Sequence, residues 1–96
     1  MEKLPCVYIV TNKKNGTLYI GVTTQLKQRI WQHKEKVVSS FSQKYKLNLL
    51  VYYELHESIE SAIVREKQMK KWNRQWKLQL IFKFNPQWSD LYLELF

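Results

Sequence analysis

The sequence predicts a small domain that combines three short β-strands with three helices. Residues 7–10 and 18–22 are runs rich in β-branched and aromatic residues, which is typical of strands. Later stretches begin with capping residues or repeat apolar residues at helical spacing. The 96 residues are enough for one domain over residues 1–96 and too few for two.

The first two strands are predicted to form a hairpin. Asn15 and Gly16 lie between them, and this pair suits a tight turn because both residues tolerate positive φ. Gly21 lies inside the second strand, where a missing side chain often marks a bend or the close approach of another group. Tyr8 and Tyr19 flank the interior that holds Gly21, so we expect space beside a tyrosine hydroxyl.

The first helix is predicted over residues 25–37. Thr23 and Thr24 precede it and offer hydroxyl groups as caps. Its core stripe repeats at helical spacing through Leu26, Ile30 and Val37. The polar residues 39–43 predict a loop, and residues 49–55, rich in valine, leucine and tyrosine, predict the third strand.

Two further helices are predicted in the second half of the chain. Ser58 is a suitable cap for the second helix, with Glu60 in its first turn, where an acidic side chain suits the helix dipole. This helix runs through Met69 toward Trp72. The third covers residues 74–83 and ends before Pro86, and we assign no element to the tail.

The charge of the chain predicts a polyanionic partner. Sixteen lysines and arginines oppose eight aspartates and glutamates, which gives a net charge of +8. Such a balance favours nucleic acid and, less often, an anionic membrane. A soluble protein that merely carries many lysines is the alternative.

Cysteine usage and hydropathy exclude several classes of protein. Cys6 is the only cysteine, so an internal disulfide and a cysteine-rich metal site are excluded, and its apolar strand predicts a buried, inert thiol. No leader pattern opens the chain, and no apolar run approaches the roughly 18 residues that span a bilayer. We therefore predict a soluble, cytoplasmic protein with no membrane partner.

Glu66 is the most informative position of the second helix. Ile59, Ala62 and Ile63 define an apolar face, and one more turn along it brings Glu66. A carboxylate there is costly to bury unless a cation or several hydrogen bonds meet it. The alternative is a glutamate at the edge of the stripe that pairs with a basic neighbour: Arg65, Lys67 or Lys70.

Arg29 and His33 are four residues apart, so they project from one side of the first helix. Together they would suit a phosphate or a site shared with a base. The alternative is a solvated basic edge that continues through Lys27, Lys34 and Lys36. Spacing alone leaves both interpretations open.

Residues 65–77 form a basic stretch with two tryptophans. The basic side chains suit phosphate contacts: Arg65, Lys67, Lys70, Lys71, Arg74 and Lys77. Trp72 and Trp76 are four apart, and aromatic rings can stack on exposed bases. Tryptophan pairs at helical spacing more often pack in a core, so we predict packing for both.

Taken together, these residues resemble the GIY-YIG nuclease superfamily. The elements occur in its order: Cys6-Val7-Tyr8, Tyr19-Ile20-Gly21, a helix with Arg29 and His33, a helix with Glu66, and Asn85 before Pro86. Residues 15–23, 44–45, 65–72 and 85–88 resemble its short, stand-alone bacterial subgroup. Cys6 and Val7 depart from the glycine and isoleucine of the first tripeptide, whereas Tyr8 is retained.

The resemblance implies an α+β fold with a three-stranded antiparallel sheet flanked by helices. It also implies phosphodiester cleavage with one divalent ion, Mg²⁺ or Mn²⁺. By position, Glu66 would be the metal ligand, Arg29 the phosphate clamp and Tyr8 the base or water-positioning group. Tyr19 and His33 would support Tyr8, Asn85 matches a late polar residue near the site, and Lys44 is a further candidate.

A free phenol has a pKa of about 10, so Tyr8 needs help to act as a base near neutrality. We expect the metal, Arg29 or a lysine to lower the pKa of Tyr8, and His33 to accept or relay the proton.

The predicted function is that of a metal-dependent DNA endonuclease with little sequence specificity or a preference for DNA structure, suited to DNA repair. Its nucleic-acid-binding residues would be Lys44, Lys67, Lys70, Lys71 and Arg74. Two alternatives stay open: a non-catalytic nucleic-acid-binding module, and a protein-interaction domain that uses exposed aromatics such as Trp31 and Trp88. RNA as the substrate also stays open, as does targeting by a protein partner or a homodimer.

Overall fold

The computed structural model of the protein describes residues 4–35 and 45–95. Strands β1 (Cys6–Thr11), β2 (Leu18–Thr23) and β3 (Leu49–Leu55) form an antiparallel sheet in the order β2-β1-β3. The described helices are α1 (Leu26–Lys34), α2 (Ile59–Lys71) and α3 (Arg74–Phe84), followed by a 3-10 helix over Leu91–Leu95. These elements confirm the predicted α+β fold.

The central strand β1 divides the core into two halves. Its side chains alternate between the faces of the sheet, so consecutive residues enter different cores. The α2 face packs Val7, Ile9, Ile20, Val51, Tyr52, Ala62, Met69, Ile81 and Trp88. The α1 face packs Tyr8, Val10, Ile30, Leu47, Leu50 and Leu91.

A β-bulge lies in β3 where it pairs with β1. Ile9 lies opposite Tyr52, whereas Val10 lies opposite Leu50, so Val51 is an extra residue on β3. Because of this insertion, the neighbours Val51 and Tyr52 both join the core of the α2 face.

The hairpin loop differs from the predicted tight turn. Residues 12–17 connect the two strands, and only Asn15 has a positive φ, of 58°. The side chain of Asn12 folds into the loop, where its Oδ1 accepts a hydrogen bond from the Thr17 amide at 3.0 Å. A Cβ atom on Gly16 would lie 2.1 Å from that Oδ1. Gly16 therefore provides space for the Asn12 side chain.

The helix starts follow the predictions except at α1. Gln25 is the N-cap residue of α1 and makes no side-chain cap bond. The Thr23 hydroxyl accepts from the Gln25 amide at 3.0 Å, which precedes the first helical residue, so Thr23 does not cap the helix. The predicted cap Ser58 accepts from the Ser61 amide of α2 at 3.1 Å. Val37 and the predicted loop over residues 39–43 lie outside the described residues.

The apolar face predicted for α2 is only partly buried. Ala62 and Met69 are buried, whereas Ile59 and Ile63 are 37% and 39% exposed. The small Ala62 contacts the α2-face core, and the two isoleucines lie beside this contact. The stripe that leads to Glu66 is therefore open to solvent along part of its length.

The four tryptophans have different environments. Trp72 packs against the α2-face core as predicted, but Trp76 is 55% exposed, so packing was wrong for Trp76. Trp31 is exposed, as the interaction hypothesis requires, whereas Trp88 is buried in the α2-face core. Trp88 follows the turn after α3, which directs its ring inward and excludes it as an exposed interaction residue.

The remaining features concern β1 and the tail. Cys6 is buried, as predicted, and burial raises the pKa of its thiol.

The Lys34 ammonium of α1 pairs with Asp90, whose Oδ1 accepts from the Leu50 amide at 3.2 Å, so Asp90 links α1, β3 and the tail. In the part of the chain that is described, no helix has the length and apolar character needed to cross a membrane.

Candidate active site

Tyr8 occupies the centre of the site. Its side chain is buried on the α1 face, and its hydroxyl oxygen lies 3.0 Å from Nε2 of His33. Gly21 lies opposite Tyr8 on β2. A Cβ atom on Gly21 would be 2.5 Å from the Tyr8 hydroxyl oxygen, so the Tyr8 ring crosses β2 only because Gly21 has no side chain. The predicted close approach at Gly21 is therefore confirmed.

The rings of Tyr8, Tyr19 and His33 pack together. The ring centroids of Tyr8 and Tyr19 are 6.5 Å apart, and His33 lies 5.6 Å from Tyr8 and 5.4 Å from Tyr19. Arg29 precedes His33 by one turn on the same side of α1. The hairpin and α1 thus bring together four of the predicted site residues.

Charges around Tyr8 show how the site is arranged. Burial raises the pKa of the Tyr8 phenol, Tyr19 adds to this effect, Arg29 opposes it and Glu66 raises it further. The expected lowering of this pKa is therefore wrong for the protein by itself, because burial outweighs Arg29. The same effects show that Arg29 and Glu66 both lie within electrostatic reach of the Tyr8 hydroxyl.

His33 is uncharged at neutral pH. Burial, together with the nearby Arg29 guanidinium, lowers the pKa of His33 to about 4. The contact between Tyr8 and His33 therefore joins a neutral phenol to a neutral imidazole. A phenol in such a pair can take up a proton from a third group while it gives its own proton to the imidazole, so that no phenolate forms.

Glu66 lies on α2, within electrostatic reach of the Tyr8 hydroxyl. Its side chain is 17% exposed, and its carboxylate contacts the Lys70 ammonium at 2.9 Å. This is the lysine pairing weighed as an alternative from the sequence, but Lys70 is 53% exposed. We call Tyr8, Tyr19, Arg29, His33 and Glu66 the Glu66 cluster.

A divalent metal fits this carboxylate. Within residues 4–35 and 45–95, no group of three or more His, Cys, Asp and Glu residues is placed to hold a metal. Mg²⁺ keeps several waters and binds through one or two carboxylates plus substrate phosphate oxygens, so one glutamate suffices. The ion pair with Lys70 shows that the Glu66 carboxylate already accepts a cation.

The Arg29 side chain is available for a ligand. Its guanidinium is half-buried and makes no ion pair or hydrogen bond to any other described side chain. Its backbone amide alone is engaged, by the Gln25 carbonyl at 2.9 Å. A planar fork of donors in this position suits a phosphate.

Asn85 lies outside the Glu66 cluster. Its Nδ2 donates to the Val51 carbonyl at 3.2 Å and to the Ser89 carbonyl at 2.8 Å, and its Oδ1 accepts from the Ser89 amide at 3.1 Å. Asn85 therefore satisfies the bulged residue of β3 and holds the turn after α3. A catalytic role for Asn85 stays a prediction.

The predicted nucleic-acid-binding residues have different surroundings. Lys67 and Lys71 are exposed and have no partner among the described residues, whereas Lys70 pairs with Glu66. The Arg74 guanidinium donates to the carbonyls of Asn15 and Gly16 at 2.6 and 2.7 Å, which fixes the hairpin loop. Lys44 lies outside the described residues.

A second carboxylate cluster was missed from the sequence. Glu54 accepts hydrogen bonds from the Tyr52 hydroxyl, from His56 Nε2 at 2.6 Å and from Arg65 Nε at 3.0 Å. We call these four residues the Glu54 cluster. Burial raises the pKa of Glu54, but the hydrogen bonds outweigh burial and hold it below its ordinary value. The spacing of two between Tyr52, Glu54 and His56 was the available signal, since alternate strand residues share a face.

Comparison with known proteins gives a family. A model of the GIY-YIG catalytic domain matches residues 4–79, which include the Glu66 cluster and exclude Asn85. A UPF0213 protein of Staphylococcus haemolyticus is 37% identical over 75 residues, covering 78% of this chain and 90% of that protein. A UPF0213 protein of Syntrophus aciditrophicus is 36% identical over 82 residues, covering 84% and 92%. No solved structure matches the chain.

Proposed function

The chain belongs to the GIY-YIG family, and we propose that it is a metal-dependent endonuclease that hydrolyses phosphodiester bonds in DNA, with little sequence specificity or a preference for DNA structure. Proteins of this family are generally endonucleases and generally use divalent metal ions. The observation that carries the proposal is the half-buried Glu66 carboxylate, which acts on the Tyr8 hydroxyl and whose only described partner is the exposed Lys70.

Arg29 would bind the scissile phosphate. Its guanidinium has no other described partner and lies close enough to Tyr8 and His33 to shift the pKa of both. Phosphodiester hydrolysis increases negative charge on the phosphate oxygens in the transition state, and pre-positioned donors stabilise that charge. The bound phosphate would in turn offset the Arg29 charge that disfavours a proton on His33.

Glu66 would hold the metal. A bound Mg²⁺ or Mn²⁺ ion would neutralise phosphate charge and acidify a coordinated water. The carboxylate suits this task because burial leaves it few water contacts, and removing a charged group from water is costly without a cation. Lys70 supplies that cation in the protein by itself.

Tyr8 and His33 would handle the proton of the attacking water. The water proton would pass to the Tyr8 hydroxyl oxygen while the phenol proton passes to Nε2 of His33, across the contact of 3.0 Å. This relay avoids a free phenolate, which the raised pKa of Tyr8 disfavours. The Tyr19 ring packs against both residues and would hold their orientation.

The decisive experiment is a cleavage panel. Single-stranded, duplex and branched DNA and RNA are incubated with the protein in Mg²⁺, in Mn²⁺ and with a chelator. We expect metal-dependent internal cleavage of DNA that stops when the chelator is added. Binding that weakens steeply with salt, but with no cleavage of any substrate, would contradict the proposal and identify a non-catalytic nucleic-acid-binding module.

Removal of one hydroxyl group tests the relay. Tyr8→Phe should lower the single-turnover cleavage rate by about 100-fold or more, because the water loses its proton acceptor. Tyr52→Phe is the matched control, since it removes a hydroxyl from the Glu54 cluster and should leave that rate unchanged. Wild-type cleavage by Tyr8→Phe would show that Tyr8 does not act on the water.

A further inference from the structure

A polar cleft lies beside Arg29 and is separate from the tyrosine rings. Its volume is about 300 Å³, and it lies between the end of β2, one side of α1 and the first residue of α2. The residues that matter for its chemistry are Thr23, Gln25, Gln28, Arg29, Gln32 and Ile59. Arg29 is the member that this cleft shares with the Glu66 cluster.

The lining is polar, and three of its residues carry neutral amide groups: Gln25, Gln28 and Gln32. Gln28 and Gln32 are one turn apart on α1 and flank Arg29, so their side chains leave the helix on the same side. Neither side-chain amide bonds to another described residue. Each amide offers both donors and an acceptor. The amides match a ligand that has both donors and acceptors, whereas Arg29 is the one cation of the lining that would attract a phosphate.

The cleft also has a defined position relative to the proposed chemistry. Arg29 acts electrostatically on Tyr8 and His33, so one end of the cleft adjoins the proposed phosphate position. Ile59 lines the other side, and Glu66 follows about two turns later on the same side of α2. A group attached to a phosphate at Arg29 therefore lies within reach of the glutamines.

We propose that this cleft binds the nucleoside that adjoins the scissile phosphate, with the amides of Gln28 and Gln32 bonding to the edge of its base. This inference rests on the proposed endonuclease function. Glutamine amides pair with donor and acceptor groups on base edges, as they do with adenine. The volume lies at the lower end of ligand pockets, which suits one nucleoside.

The inference identifies a substrate class. A base that enters the cleft must leave its stack and its pairing partner, which is least costly at single-stranded or branched positions. The preferred substrates would therefore be DNA with unpaired nucleotides at the cut. Discrimination would be confined to one neighbouring base, so the sequence preference would be short.

The first test measures nucleotide binding directly. The isotope-labelled protein is titrated with each of the four deoxynucleoside 5′-monophosphates and with inorganic phosphate, and nuclear magnetic resonance follows the side-chain amides of Gln28 and Gln32. We expect saturable shifts with nucleotides, different between bases and absent with phosphate. Identical shifts with phosphate alone would overturn the inference.

Two double variants extend this test. Gln28→Ala with Gln32→Ala should weaken nucleotide binding by about tenfold, since two base contacts are lost. Gln75→Ala with Gln79→Ala removes two exposed glutamines from α3 and should leave binding unchanged. Equal weakening by both double variants, or by neither, would overturn the role of the cleft.

The second test measures base preference in cleavage. Single-stranded and branched substrates carry a random base on each side of the cut, and sequencing of the products gives the preference. The wild-type protein should prefer particular bases on one side, and the Gln28→Ala, Gln32→Ala variant should lose this preference. A preference that survives in the variant contradicts the inference although cleavage itself supports the proposed function. Nucleotide shifts at the glutamines without any cleavage would contradict the endonuclease and keep the nucleoside site.

Discussion

The Glu54 cluster and the Glu66 cluster contain the same four residue types, a tyrosine, a histidine, an arginine and a glutamate, yet they are connected differently. In the Glu54 cluster, the hydroxyl, the imidazole and the guanidinium all donate to the one carboxylate. In the Glu66 cluster, the tyrosine bonds to the histidine, the arginine has no described partner, and the carboxylate contacts only Lys70.

This difference shows that residue types alone do not make a reactive site. The carboxylate of Glu54 has its hydrogen-bonding capacity filled by three protein groups, so a metal or phosphate finds nothing unpaired there. Among the described residues, Glu66 pairs only with the exposed Lys70, and the Arg29 guanidinium has no partner. We therefore expect changes in the first cluster to affect stability and changes in the second to affect activity.

The largest expected effect comes from Glu66→Gln. Cleavage in saturating Mg²⁺ should fall by about 1000-fold, because the neutral amide no longer holds the ion. The free energy of unfolding should change by less than about 0.5 kcal/mol, because the neutral amide loses the pair with the exposed Lys70 but also avoids the cost of keeping a charge half-buried. Glu60→Gln, at an exposed position of the same helix, is the control: it should leave cleavage unchanged and lower stability by less than about 1 kcal/mol, because a charge that suits the helix dipole is lost. Cleavage retained by Glu66→Gln would remove the distinction between the two clusters.

Gly21→Ala should have the next largest effect. The new methyl group would lie 2.5 Å from the Tyr8 hydroxyl oxygen, so the ring must leave its place beside His33. Cleavage should fall by about 100-fold, as expected when a proton acceptor is displaced. Gly16→Ala is the matched control, because it crowds the flexible Asn12 side chain of the hairpin loop and should lower stability without lowering the cleavage rate of folded protein. Equal cleavage rates for the two variants would contradict the proposed position of Tyr8.

Glu54→Gln should give the opposite pattern. It removes the charge that Arg65 and His56 contact, and leaving such groups poorly paired costs about 2 kcal/mol of unfolding free energy. The cleavage rate per folded molecule should stay within about twofold, since the cluster offers no ligand for substrate. Urea unfolding and single-turnover cleavage of the same preparation measure both quantities. A large loss of cleavage at unchanged stability would place Glu54 in the active site.

The smallest effect is the pH dependence of stability that His33 contributes. The pKa of His33 falls from an ordinary 6.5 to about 4 in the folded protein, so the unfolded chain binds a proton that the folded chain does not. The stability that His33 contributes is therefore complete above the ordinary value and is lost as pH falls toward the folded value. For these two values the loss is about 3 kcal/mol in total, of which about 2 kcal/mol falls between pH 7 and 5. Below 4.5, the lowered pKa of Glu54 adds a further loss of the same sign.

Urea unfolding between pH 7 and 5 measures this slope before Glu54 contributes. His33→Asn should flatten the slope of stability against pH. Tyr52→Phe, in the Glu54 cluster, should lower stability and leave this slope unchanged. An unchanged slope in His33→Asn would show that another group titrates.

Much of the fold could be predicted from local sequence. The three strands, the Ser58 cap of α2 and the helix over α3 follow from periodicity and capping, because these depend on residues within a few positions of each other. The same locality placed Arg29 and His33 on one side of α1. The hairpin loop and the bulge at Val51 were not predictable, because side chains from elsewhere in the fold stabilise them.

The sequence by itself determined the strands, the helices, the basic character and the residues that define the family. Only the tertiary structure decided that the Glu54 carboxylate accepts hydrogen bonds from three protein groups and that the Glu66 carboxylate, among the described residues, contacts only Lys70. Glu54 meets Arg65 eleven positions away, and Tyr8 meets His33 across a separation of 25. Hydrogen-bond partners at such separations are set by how α1 and α2 pack on the sheet, and this packing leaves Glu66, Arg29 and the glutamine cleft open to a ligand.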